Sequence, residues 1–293
     1  MGLSCLQGRP WRRMTRLSFS AREKYELCPY KYYLHYVMRY RSSLQSSALC
    51  FGNALDIALN NLLEGKQDYH EVFDSEWSKY KDVSIDYYKS DLDTSLLSEQ
   101  ELALSIQEQN FLSLSRKGHK LLDAYKKEIL PAIKKVISIQ EEINICGYNE
   151  DGEVTDDSIY GKLDLIAMIE TESGQIVRAL LDNKTTSEPY PKNAVQKKDQ
   201  LALYAAGFSD IEWFGYLTLN KKNYKTQIIL DKIGEDRKEE VLSKFITTLD
   251  NIKKENFEKN KKSCYSFGRR CEFYTHCHEG YFSPDIYEET KEK

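Results

Sequence analysis

The segment running from residue 158 to residue 184 constrains the fold of this chain more than any other. Ile176, Val177, Ala179, Leu180 and Leu181 form an apolar run that closes on Asp182-Asn183-Lys184. Strand periodicity puts Asp182 and Lys184 on one face, roughly 6–7 Å apart along the backbone. Just upstream, residues 158–170 have strand character and carry Gly161-Lys162-Leu163-Asp164, and Glu172-Ser173-Gly174 supplies the turn between the two strands. A charged Asp-x-Lys pair at the end of an apolar strand is costly to bury without a partner. A divalent cation shared by Asp164 and Asp182 is such a partner, and it leaves the Lys184 ammonium to hold a water or a phosphate oxygen. The plainer alternative is a surface hairpin with scattered charges.

The rest of the chain places that hairpin in an α/β frame. Ser20-Ala21-Arg22-Glu23 predicts a capping box, and Cys28-Pro29 restarts a helix with Tyr33, Tyr36, Val37 and Tyr40 at helical spacing. Residues 48–65 predict a further helix ending at Gly65. Residues 66–140 are polar, rich in Lys and Glu and helical in pattern, and are expected to form a helical insertion or lid. Strand character begins at 137–145. A helix over 195–208 carries Gln196, Gln200 and Tyr204 on one face, two strands follow at 213–220 and 225–231, and an amphipathic helix covers 236–257. The order predicts a mixed sheet flanked by helices within one domain over 15–293, preceded by an extension over 1–14.

Bulk charge is uninformative: 42 Lys and Arg stand against 46 Asp and Glu in 293 residues. Local charge says more. Seven basic residues against two acidic ones lie between Lys253 and Arg270, and Arg9, Arg12, Arg13, Arg16 and Arg22 crowd the start. The 21 Tyr residues are often interleaved with Lys, which suits backbone and stacking contact with single strands and equally suits half-buried helix faces. No apolar run is long enough to span a membrane, no signal core is present, and Leu6 breaks a myristoylation pattern. Met14 as the native start, with 1–13 as an upstream extension, is the simpler reading. Seven Cys without a secretory signal imply reduced thiols and a cytoplasmic setting.

Asp164 followed by Asp182-x-Lys184 resembles the signature of the PD-(D/E)XK nucleases, and Gln200-Leu-Ala-Leu-Tyr204 resembles the Gln-x-x-x-Tyr motif of their RecB-like branch. The resemblance implies a restriction-endonuclease-like fold and Mg²⁺- or Mn²⁺-dependent phosphodiester hydrolysis. Asp164, Asp182 and the Asn183 carbonyl would be ligands, Lys184 would position the attacking water, and Gln200 and Tyr204 would orient the site. Where the branch carries Gly-x-x-x-His, this chain has Gly52-Asn-Ala-Leu-Asp56. Asp56 is thus either a hard-cation ligand in place of histidine or a polar helix residue.

Cys28, far from Cys264, Cys271 and Cys277, completes a split quartet that resembles the iron–sulfur nucleases of the superfamily, such as the AddB-type domain and a CRISPR-associated exonuclease. That resemblance implies a [4Fe–4S] cluster stapling the chain ends, with 258–280 as its cysteine-rich segment. Zinc, which favours C-x₂₋₄-C pairs, and unligated thiols are the alternatives. Cys5, Cys50 and Cys146 read as small apolar residues. The expected activity is a DNA exonuclease acting on single strands or resected ends in recombination, repair or phage DNA processing, with a helicase or recombination protein as partner. A catalytically weak nucleic-acid-binding subunit and a structure-specific or CRISPR-type endonuclease are the competing readings.

Overall fold

The structure is a computed structural model, and it describes residues 16–148, 154–266 and 269–289. The extension over 1–14, with Cys5, Arg9, Arg12, Arg13 and Met14, lies outside the described residues. Strand β1 (Arg16–Ser18) leads into helices α1 (Phe19–Leu27) and α2 (Pro29–Tyr32), and α2 runs on as a π-helical turn over Tyr33–Val37. Strands β2 (Tyr40–Ser42) and β3 (Gln45–Ser46) precede helices α3 (Ser47–Leu63) and α4 (Tyr69–Ser78). Strand β4 (Ile85–Asp86) and helix α5 (Ile106–Ala124) come next. Then follow β5 (Ile133–Ile139), β6 (Glu142–Tyr148), β7 (Val154–Lys162), β8 (Leu165–Glu170) and β9 (Ile176–Thr186). Helices α6 (Ala194–Lys197) and α7 (Asp199–Ala206) lead to β10 (Trp213–Asn220), β11 (Thr226–Lys232) and α8 (Glu235–Lys253). Helix α9 (Tyr274–Glu279) and β12 (Ile286–Glu288) complete the described residues.

The central sheet has the order β11-β10-β9-β8-β5, with β9 and β10 parallel and the other neighbours antiparallel. Alternation along its strands divides the core into two layers. Leu165, Ala167, Ala179, Leu181, Leu217 and Leu219 face α3, α4 and α5, where Phe51, Phe73, Trp77 and Leu121 are buried. Ile166, Leu180, Phe214 and Tyr216 face the other way, toward Leu201, Leu203, Phe245 and Leu249 of α7 and α8. The mixed sheet between helices is the architecture expected from sequence.

Several boundaries differ from that expectation, each for a physical reason. Residues 158–170 are not one strand. β7 pairs with β6 and β1 in a second sheet, β8 pairs with β9 and β5 in the central one, and the chain bends at Asp164 between them. Residues 137–145 split in the same place, between β5 and β6. The two breaks lie side by side: Gln140 N–H donates to Asp164 O at 3.1 Å, and Leu163 N–H donates to Glu141 O at 2.8 Å. Two paired strands thus kink together and cross from one sheet to the other.

Residues 195–208 are two helices, because Lys198 is extended (φ −91°, ψ 135°) between α6 and α7. Gln196 is therefore out of phase with Gln200 and Tyr204, and its amide binds Asp231 and the Lys232 carbonyl instead. The cap of α1 is Ser18, which accepts from Ala21 N–H, rather than Ser20. Residues 66–140 are helical only over α4 and α5 and at short turns, and their last part is the edge strand β5. The buried faces of both helices belong to the central core.

Candidate active site

The antiparallel register of β8 and β9 sets the site. Leu165 faces Leu181, so the next position brings Asp164, at the kink, across from Asp182. Parallel pairing with β10 puts Tyr216 beside Asp182 and Thr218 beside Lys184. Asp182 is 2 % exposed. Its Oδ1 accepts from the Gln200 amide at 2.9 Å, and the same amide donates to Tyr204 Oη at 3.3 Å. Lys184 Nζ lies 2.7 Å from Asp182 Oδ2. That ion pair holds the buried Oδ2 against the ammonium. Asp164 accepts the Asn183 N–H at 2.8 Å, and the Asn183 side-chain carbonyl accepts from Tyr125 Oη at 3.3 Å.

The electrostatics follow from three carboxylates sharing a poorly hydrated space. Burial first, then the charges of Asp182 and Asp56, push the Asp164 carboxyl up to about 8. Burial also raises Asp182, against the opposing charge of Lys184. Burial pulls the Lys184 ammonium down, but Asp182 and Asp164 more than offset this and hold it charged. Asp56, on α3, is raised by burial and held by the Gln140 amide at 3.0 Å and the Asn60 amide at 3.4 Å.

Asp164, Asp182, Lys184, Gln200 and Tyr204 are thus brought together, with Asn183 between them and Asp56 approaching from the α3 side. Reasoning from sequence missed Gln140, Tyr125 and Tyr216, whose hydroxyl is buried without a partner. Strand alternation signals Tyr216; nothing local signals Gln140.

Among the described residues, no group of three or more His, Cys, Asp or Glu side chains is gathered tightly enough to hold a metal ion. Mg²⁺ asks for less, since it binds through one or two carboxylates and completes its shell with water and substrate oxygens. Two neighbouring carboxylates, Asp164 and Asp182, that repel one another in a poorly hydrated space fit such a cation.

The four expected cysteines line one cavity of about 30 Å³, together with Lys31, Asn260 and His278. All are free thiols. Cys28 Sγ accepts from Asn260 N–H at 3.3 Å, and Tyr30 N–H donates to Glu258 O at 3.1 Å, so the N-terminal helices and the cysteine-rich segment are bonded directly. Burial raises the Cys271 and Cys277 thiols, and neighbouring thiols add to it. Cys50 is fully buried in the α3 core, as its apolar reading implies; the Cys146 side chain lies outside the described ones. Part of the basic segment is engaged internally: Lys253 pairs with Asp157, Lys259 lies over Tyr30, and Arg269 pairs with Asp86 and stacks on Tyr88.

A buried Asp182, a half-buried Asp164 and Lys184 thus meet at the kinked end of a mixed sheet. The chain belongs to the PD-(D/E)XK nuclease superfamily, whose family model matches residues 16–278. The crystal structure of the "Putative exonuclease" from Eubacterium rectale is similar over 90% of this chain and 88% of that one, with a TM-score of 0.52 and 14% identity. At that identity the likeness speaks for the fold. The structure of SSO0001 matches 39% of this chain and 49% of its own, at 17% identity and a TM-score of 0.28, too low to carry an argument. No curated protein matches the sequence. No helix among the described residues is long and apolar enough to cross a membrane.

Proposed function

We propose that this chain is a single-domain, divalent-metal-dependent DNA exonuclease of the RecB-like branch, acting in the cytoplasm on single-stranded or resected ends during recombination, repair or phage DNA processing. The observation that carries this reading is the buried Asp182, paired with Lys184, bonded to Gln200 and set across from Asp164. Mg²⁺ or Mn²⁺, when bound, would supply charge neutralisation at the scissile phosphate and ease loss of a proton from the attacking water. Asp164 and Asp182 would hold it, with the Asn183 carbonyl and Asp56 completing the protein's share. Lys184, kept charged by its carboxylate neighbours, orients the attacking water and stabilises charge developing on phosphate. Gln200 fixes one oxygen of Asp182 while Lys184 pairs with the other, and Tyr204 anchors Gln200.

End-labelled linear and circular DNA with Mg²⁺ or Mn²⁺ test this directly. Linear DNA is expected to be degraded and covalently closed circles spared. Asp182→Ala is expected to lower the rate by about 10³-fold or more, a loss of about 4 kcal/mol of transition-state stabilisation. Cleavage of circles would instead favour an endonuclease, and an Asp182→Ala enzyme as active as wild type would remove the assignment.

The same reading extends to the cysteine cavity, where Cys28, Cys264, Cys271 and Cys277 are proposed to hold a [4Fe–4S] cluster joining the chain ends. The reading rests on all four thiols lining the same cavity beside the directly bonded N-terminal helix; among the described residues they are not gathered into a metal-holding group. Protein purified without oxygen is expected to be brown, with about four irons per chain and broad absorption near ~400 nm. Cys271→Ser is expected to abolish the colour; colourless, iron-free wild type would rule the cluster out.

A further inference from the structure

We propose that Gln140 is a positioning residue for the metal site, tying Asp56 to the backbone of Asp164. The inference rests on the nuclease reading above and concerns how the third carboxylate is held. Gln140 stands where β5 ends and the chain leaves the central sheet, and its φ is +56°. A side chain there meets the backbone unfavourably, and glycine is the residue that makes such a bend without strain. Non-glycine residues persist in this conformation where the surroundings over-determine them, and they cluster at functional sites.

Here the surroundings are specific. The Gln140 N–H donates to Asp164 O at 3.1 Å. Its side-chain amide donates to Asp56 Oδ2 at 3.0 Å, across 84 residues of sequence. A carboxylate only accepts, so the amide's orientation is settled by its partner. The other amide on Asp56, from Asn60, is longer at 3.4 Å. Glycine at this position would make the same bend and the same backbone bond. What it would lack is the hold on Asp56, and that hold is what the strained glutamine adds. One residue therefore fixes two elements that approach the site from different parts of the chain, α3 and the kink.

The test uses the full chain and reads Mn²⁺ affinity by electron paramagnetic resonance of the free ion, with melting of the metal-free protein measured alongside. Gln140→Gly is expected to melt at the wild-type temperature or above, since glycine relieves the bend. Its Mn²⁺ affinity is expected to fall about 10-fold or more, the usual loss for a ligand's supporting partner. Asp56→Asn alone should weaken binding, and adding Gln140→Gly to it should change nothing further, because the glutamine acts through Asp56. Wild-type affinity in Gln140→Gly, a melting temperature that falls with the affinity, or a full second loss in the Asp56→Asn background would each overturn the proposal. Wild type that neither binds Mn²⁺ nor cleaves DNA would bring down the nuclease reading and this inference with it. Wild type that cleaves, with Asp182→Ala inactive and Gln140→Gly binding normally, would remove this inference alone.

Discussion

Asparagine at position 164 is expected to stabilise the metal-free protein by about 1–3 kcal/mol at pH 8 while lowering hydrolysis by about 10³-fold. Burial, then Asp182 and Asp56, push the Asp164 carboxyl up to about 8. An asparagine oxygen still accepts the Asn183 N–H that the carboxylate accepts at 2.8 Å. The variant therefore keeps the hydrogen bond and loses the repulsion. The folded value lies above the unfolded one, near 3.9, so folding disfavours the ionised form. That penalty is absent below about pH 4, grows as pH rises toward about 8 and is constant beyond. The advantage of asparagine is accordingly largest at pH 8 and above and fades on acidification. Urea denaturation at pH 8 and near pH 4.5 measures both ends. An asparagine variant less stable than wild type at pH 8, or an advantage that grows with acid, would contradict the electrostatic account.

Lys184→Met is expected to act with the opposite sign on stability. Asp182 is 2 % exposed and its charge partner sits 2.7 Å away. Removing the ammonium leaves a buried carboxylate with the Gln200 amide alone, at a cost of about 2–4 kcal/mol. The lower end applies because the Lys184 side chain is 32% exposed and water can partly take its place. Hydrolysis is expected to fall by about 10²–10³-fold, as when one preorganised donor to the developing charge is removed. Millimolar Mg²⁺ should then raise the melting temperature of the variant more than that of wild type, because a cation relieves the orphaned carboxylate. The rate should stay low, since Mg²⁺ restores charge balance and leaves the water unpositioned. A methionine variant as stable as wild type without metal would show that the pair contributes nothing to folding.

These two residues illustrate what could be read from the sequence. The alternation through Leu180, Leu181, Asp182 and Lys184 is visible because an apolar strand closing on charges has few structural explanations, and β9 lies where it predicts. Gln200 and Tyr204 are visible as an i, i+4 pair, and the split of their helix at Lys198 is not, since lysine carries no breaker signal. The division of 137–145 and 158–170 between two sheets was equally hidden. Both halves of each segment favour strands, and the break depends on a left-handed Gln140, a residue with no turn propensity. The role of 66–140 was obscured by composition. Its surface is polar, while Phe73 and Trp77 on α4 and Leu114 and Leu121 on α5 supply the core face. Asp56 could be placed on a helix from its pattern, but its amide partner lies 84 residues away.

The paired kink at Gln140 and Asp164 has a bearing on how this protein can vary. Side chains in a strand alternate with a period of two, so a one-residue slip would turn Asp182 and Lys184 to the opposite face. A continuous pair of long strands would transmit any insertion in its outer half to the inner one. Here the bend resets the phase. β6 and β7, which already carry a register shift between Cys146 and Tyr148, can gain or lose a residue without disturbing the pairing of Leu165 with Leu181. The outer sheet is thereby free to drift, while the carboxylates keep their alignment.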